Sequence, residues 1–158
     1  MVFETVVVGA DDSQTARQAV LIAADVAQLA RGKLHIVCAY DPKTVRRQDL
    51  PEEFRFSSSM HPADALLEDL SKLVRERGLE PVVHAATGSP AEAIVRIAEQ
   101  VEADLIVVGN KGMKGMRRVL GSVPNSIAHS APCSVLIADT ITAAARSDSE
   151  SPAEEGSV

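Results

Sequence analysis

The chain has 158 residues, 46% hydrophobic and 24% charged, with 16 Lys and Arg against 22 Asp and Glu for a formal net charge of -6. That length suits one ordinary domain that buries a core without staples, and an aromatic content of 3% leaves Val, Ile, Leu and Ala to build that core. The acidic balance argues against duplex nucleic acid as a partner, and no stretch approaches the roughly 18 apolar residues of a membrane span. Cys38 and Cys133 show neither CxxC nor histidine spacing, as expected of buried thiols in a cytoplasmic protein with no metal site.

Strand and helix alternate along the chain. Phe3 to Val8 is an apolar β-branched run ending at Gly9, after which Asp12 or Ser13 offers an N-cap. Ala16, Ala19, Val20, Ala23, Ala24, Ala27 and Ala30 then recur at helical spacing, with Gly32 as the natural stop. Leu34 to Ala39 reads as the second strand. Tyr40 to Met60 lacks periodicity and carries Pro42, Pro51 and a serine run, which predicts an excursion over the surface, in the manner of a lid. Helical spacing resumes from His61 to Arg77 through Ala65, Leu66, Leu70, Leu73 and Val74, and Gly78 closes it. Glu80 to Ala86 is strand three, and Ser89-Pro90 starts a helix whose Ala91, Ile94, Val95 and Ala98 line one face.

Leu105 to Val108 has the continuous β-branched character of a strand buried on both faces, and it runs into GNKGMKGMRRVLGSVPNS, residues 109 to 126. Gly109, Gly112 and Gly115 can take positive φ, so successive N–H groups can form a concave nest for anions. Gly121 permits close approach, and Ser122 opens a helix beside unpaired N–H groups. Lys111, Lys114, Arg117 and Arg118 cluster here, and no acid occurs from Gly109 to Ala138. The bland alternatives are a tight connection and a solvated cationic face, with Met113 and Met116 packing the loop onto the sheet. Val123 to Ser130 is a short helix and Ser134 to Ala138 a last strand. From Asp139 onward the chain offers nothing to a core; residues 141 to 158, with Arg146 against Asp148, Glu150, Glu154 and Glu155, are expected to form a disordered acidic tail.

Alternation of this kind predicts right-handed βαβ crossovers and a three-layer α/β sandwich, with ligands bound at the carboxyl ends of the strands where strand order reverses. The Gly9 and Gly109 strand ends would then share one crevice, with Asp11 on one side. The acid at Asp11 is equally explained by the dipole of the following helix.

The Asp11-Asp12-Ser13 turn, Gly88-Ser89-Pro90, Ala103 to Gly109, Gly121-Ser122-Val123 and Ala131 to Ile137 together resemble a universal stress protein domain. The resemblance covers residues 2 to 138 and implies a domain over 1 to 140, Rossmann-like and related to the adenine nucleotide alpha hydrolases, with five parallel strands in the order 3-2-1-4-5. Nucleotide-binding relatives carry glycine, two residues, glycine, nine residues, then glycine and Ser or Thr. Here Gly112 and Gly121 enclose eight residues, one fewer. The resemblance implies that Ala10, Asp11 and Ala39 meet the adenine and ribose and that Val108 lies beneath the base. It also implies that Gly109, Gly112, Gly121, Ser122 and Val123 surround the phosphates. The ligand implied is ATP, with Mg²⁺ accompanying its phosphates, or cyclic AMP, and the implied assembly is a homodimer through Ser134 to Ala138. The family role is stress adaptation. A nucleotide-free interaction protein of the same fold is the alternative.

Other nucleotide chemistries are excluded by their missing strings. Neither GxxxxGK[ST] nor GxGxxG near the first strand occurs, and a phosphoryl-accepting receiver would need an Asp where Ala86-Thr87 stands and a Lys where Ala138-Asp139 stands. His35, His61, His84 and His129 read as structural residues. Slow ATP hydrolysis is the most that the residues allow, since no oriented acid/base pair is evident.

Overall fold

In a computed structural model the described residues are 2–11, 13–42, 62–110 and 121–140. Five strands, β1 (Thr5–Gly9), β2 (Lys33–Tyr40), β3 (Val82–Thr87), β4 (Leu105–Gly109) and β5 (Ser134–Ala138), form one sheet in the order β3-β2-β1-β4-β5. Every pairing is parallel. Among the described residues four helices connect them: α1 (Gln14–Ala30), α2 (Pro62–Arg75), α3 (Pro90–Gln100) and α4 (Ser122–Ser130).

The period of two in a strand sends alternate residues to opposite faces, and each face has its own core. Val6, Val8, Leu34, Ile36, Leu105 and Val107 pack with the alanine stripe of α1 and with Leu67, Leu70 and Val74 of α2. Val7, Val37, Ile106 and Val108 pack on the other side with Ala93, Ile94, Ile97 and Ala98 of α3 and Ile127 of α4. β1 and β4 are central and buried on both faces, which is why they read as unbroken Val and Ile runs. β3 and β5 are the edges; β3 is largely exposed, and β5 alternates exposed with half-buried residues and ends at buried Ala138.

Short-range chemistry fixes the register. The Asp104 carboxylate accepts from the backbone N–H of Glu4 (3.0 Å) and Thr5 (2.9 Å), while the Asp104 N–H donates to the Thr5 carbonyl at 2.9 Å, stitching the start of β4 to the start of β1. Gly32 acts differently from the expectation. Arg31 takes the left-handed cap of α1 at φ 54, and Gly32 is needed because a Cβ there would lie 2.4 Å from the Phe3 carbonyl oxygen and 2.8 Å from that of Glu4. Gly78 and Gly88 do take positive φ, 81 and 113.

Three further expectations change. The buried stripe of α2 is Ala63, Leu67, Leu70, Ser71 and Val74, so Ala65, Leu66 and Leu73 flank it. Of the two thiols, Cys38 is buried and Cys133 half-buried, and burial pushes the Cys133 thiol up. The chain after β5 does contribute to the core: Thr140 is 0% exposed. The expected lid within Tyr40 to Met60 and the tail at 141 to 158 lie outside the described residues, apart from residues 40 to 42. Among the described residues no helix is long and apolar enough to cross a membrane.

Candidate functional site

Strand order reverses between β1 and β4: β1 leads through α1 to β2 on one side, while β4 leads to β5 on the other. A crevice must open where the two crossovers diverge, at the carboxyl ends of these strands. A pocket of about 500 Å³ lies there, within the range of small-molecule sites. Its floor is Gly9 and Ala10 after β1, Val37 and Ala39 of β2, and Val108 and Gly109 of β4. Asp11, Ser13, Thr15, Ala16 and Ala19 form one wall, Pro90 and Ile94 another, and Gly121 to Pro124 the third.

The wall at α1 is set by local hydrogen bonds. Asp11 Oδ1 accepts from the Ser13 N–H at 2.9 Å, and Ser13 Oγ accepts from the Ala16 N–H at 3.1 Å as the N-cap of α1. Ala10 N–H donates to the Val37 carbonyl at 2.9 Å, so the chain stays joined to β2 past the end of the β1 strand. Asp11 is the one charged side chain among the described lining residues.

The wall at α4 has a different construction. Gly121 is the N-cap, and among the described residues no side chain caps this end. Ser122 and Val123, whose N–H groups lie in the first turn, both line the pocket, followed by Pro124, which has no N–H to satisfy. A helix start facing a cavity without a capping side chain offers backbone donors and a favourable dipole to an anion.

Eight of the nine sequence-predicted site residues, Ala10, Asp11, Ala39, Val108, Gly109, Gly121, Ser122 and Val123, line this one pocket. Gly112, with Gly115 and the four loop cations, lies outside the described residues. The reason for Gly109 needs correcting, since it is not among the positive-φ glycines. Gly121, read for close approach, sits at φ -60 and ψ 166, a conformation open to any residue. Gly109 is small because a Cβ would meet Thr140 Oγ1 at 3.1 Å and Cγ2 at 3.2 Å. Gly9 is small for a similar reason, since a Cβ would lie 2.2 Å from Ile94 Cδ1. The reading of individual site residues did not include Ser13, Thr15, Ala16 and Ala19, although the alanine spacing had placed Ala16 and Ala19 on one helix face. Val37, Pro90 and Ile94 belong to elements that reach the site only through tertiary packing.

Beside Gly109 is a polar clasp. Asn110 Oδ1 accepts from both the backbone N–H and the Oγ1 of Thr140, each at 2.9 Å. Asn110 Nδ2 donates to Asp139 Oδ1 at 3.2 Å.

His35, His84 and His129 are not in the described lining. His35 Nδ1 and His84 Nε2 are 2.9 Å apart, with ring centroids at 5.2 Å and planes within 19°. The centroid separation is the N···N distance plus a ring radius at each end, so the rings meet edge to edge in an in-line hydrogen bond rather than face to face. Burial holds both pKa values below the ordinary histidine range, and for His35 the neighbouring His84 and then Lys33 push further the same way. His129 lies exposed on α4. Among the described residues no group of three or more His, Cys, Asp or Glu could hold a metal ion.

The sequence profile of the universal stress protein family matches residues 3–139. Universal stress protein Rv1636 of Mycobacterium tuberculosis is 35% identical over 143 residues, covering 87% of this chain and 97% of that protein. The crystal structure of a universal stress protein in complex with cAMP is similar at 32% identity and a TM-score of 0.70, covering 89% of this chain and 99% of that one. The Archaeoglobus fulgidus universal stress protein in complex with dAMP, 23% identical with a TM-score of 0.65 and covering 87% and 98%, shares the fold.

Proposed function

The chain belongs to the universal stress protein family, and from that premise we propose that it is an adenine-nucleotide-binding stress-response regulator, cytoplasmic and homodimeric, that binds ATP or cyclic AMP. The observation that carries the reading is the pocket at the β1/β4 switch point, whose mostly apolar floor ends at a helix start without a capping side chain. That combination suits a flat aromatic base joined to an anion. The cAMP complex of a relative 32% identical supports it.

In this reading the base lies over Val108, between Ala10 and Ala39, and the ribose hydroxyls meet Asp11. The phosphate oxygens accept from the N–H groups of Gly109, Ser122 and Val123, with Gly121 leaving room for their approach. Gly112 enters on the sequence pattern alone. Mg²⁺ would accompany a triphosphate near Asp11 and Ser122, where a carboxylate and a hydroxyl are the hard oxygen donors available. Backbone donors do most of the holding, so the neutral helix start matters more than any single cation.

The dimer forms through β5. That strand pairs only with β4 among the described residues, and Leu136 is exposed on one face while Val135 and Ile137 pack on the other. A second copy paired along this edge covers the backbone groups that an edge strand leaves open.

A nucleotide-free interaction protein is the second reading, favoured by the one-residue shortening between Gly112 and Gly121. Mass spectrometry of small molecules released from the purified protein separates the two. Retained adenylate supports the first reading; a preparation free of adenylate that also takes none up on incubation supports the second.

A further inference from the structure

The β4–β5 ladder ends at the pair Gly109 and Ala138, yet the two chains stay joined beyond it through side chains. Among the described residues the Asn110 amide carries the join. Its oxygen accepts two donors from Thr140, which fixes that residue's backbone and side chain together, and its NH₂ reaches Asp139. The primary amide supplies an acceptor and a donor in this arrangement; a carboxylate in place of Asn110 would face Asp139 with no proton to give. Thr140 is wholly buried, and its Oγ1 and Cγ2 press on the one side of Gly109 where a Cβ would otherwise sit. Gly109 is at the same time a floor residue of the pocket.

We infer that Asn110 and Thr140 are positioning residues for the pocket: their hydrogen-bonded clasp holds the Gly109 end of β4 in the conformation that receives the ligand. This inference rests on the nucleotide reading for its affinity readout, and it adds a contribution from a residue beyond the last strand. When the clasp opens, Thr140 no longer bounds the Gly109 end of β4 beyond its pairing with Ala138, the binding-competent fraction falls, and apparent affinity falls in proportion.

Hydrogen bonding and packing make opposite forecasts for two variants of the full chain. Thr140→Ser keeps both donors to Asn110 and loses a methyl; Thr140→Val keeps the volume and loses the hydroxyl donor. The clasp therefore predicts that Thr140→Ser binds ATP or cyclic AMP like wild type in calorimetry, while Thr140→Val binds more weakly by about three- to tenfold for its single lost hydrogen bond, and Asn110→Ala, which loses all the bonds of the amide, by at least as much. A packing role predicts that Thr140→Ser is the impaired one, and that order, or equal affinities throughout, overturns the inference. If wild type binds neither nucleotide, the nucleotide reading fails and the clasp is judged in the ligand-free protein. Backbone amide signals of Ala10, Ser122 and Val123, on the other walls of the pocket, should then shift in Thr140→Val and Asn110→Ala and stay in place in Thr140→Ser. Unmoved signals in all three variants overturn it.

Discussion

Replacing Gly9 by alanine tests how tightly the pocket floor is packed from below. The new Cβ would lie 2.2 Å from Ile94 Cδ1 and 3.0 Å from Ile94 Cγ1. Carbon atoms rest about 3.5 to 4.0 Å apart, so the Ile94 methyl must retreat by roughly 1.3 Å or more. Ile94 is 4% exposed on the buried side of α3 and also lines the pocket, so the space open to it is the pocket itself. Overpacking of this kind costs about 1–3 kcal/mol, which lowers the melting midpoint by roughly 2 to 12 °C for a domain of this size. Ligand affinity should fall with it, because the displaced methyl occupies ligand volume. Ile94→Val removes Cδ1, the atom in closest conflict, at its own cost of about 0.5–1.5 kcal/mol. In urea unfolding of the two single variants and the double variant, the double should be more stable than the sum of the singles predicts by at least about 0.5 kcal/mol. Strict additivity would show that Ile94 is not what Gly9 makes room for and would refute the reasoning.

Gly32→Ala meets backbone oxygens of Phe3 and Glu4 rather than a movable side chain, so the loss should reach about 3 kcal/mol or more; a loss under about 1 kcal/mol in the same urea assay would contradict the geometry. The His35–His84 pair makes stability pH-dependent with a definite sign. Because both native pKa values lie below the ordinary one, the unfolded chain takes up protons that the native pair resists. Stability should hold above the ordinary histidine value of 6.5 and fall as pH drops from there through the lowered native values. Melting midpoints followed downward in pH should fall less steeply in His84→Gln than in wild type, and parallel curves would rule the pair out as a source. Leu136→Lys should raise the monomer fraction in analytical ultracentrifugation by placing a charge on the exposed side of β5, and a wild type already monomeric at high micromolar concentration would contradict the dimer.

Much of the fold was legible because the central strands obey simple rules. Val6 to Val8 and Leu105 to Val108 must bury both faces, so their sequences could not alternate. The alanines of α1 betray its buried side through spacing alone. The boundaries at Ser13 and at Ser134 to Ala138 followed from local capping and β-branching; at Ser89-Pro90 the boundary rests on the proline, since Ser89 is the N-cap residue without a side-chain cap bond. Strand order came instead from the family resemblance, since adjacency is a long-range property. What sequence did not reveal depends on residues far apart in the chain. Gly32 looks like a helix stop until the Phe3 carbonyl is seen above it. In α2 the pattern of leucines misplaces the stripe because Ser71 is buried and Leu73 is only half so. The chain after Ala138 reads as core-free by composition, yet Thr140 is buried through an asparagine 30 positions earlier. Among the candidate site residues, Gly109 and Gly121 line the pocket, but Gly109 is small because of Thr140 rather than for a positive φ, a neighbour 31 positions away that no local pattern shows.

The central claim, that an adenine nucleotide occupies the pocket with its phosphates at the start of α4, is tested most directly by calorimetry on wild type and Gly121→Val. Valine suits the backbone at φ -60 and ψ 166, so the variant should fold, while its side chain fills the approach to the first-turn N–H groups of Ser122 and Val123. The account predicts saturable one-site heat for ATP or cyclic AMP with wild type and none with a folded Gly121→Val. No saturable heat with wild type at millimolar ATP, ADP or cyclic AMP, or equal binding by both proteins, would contradict it.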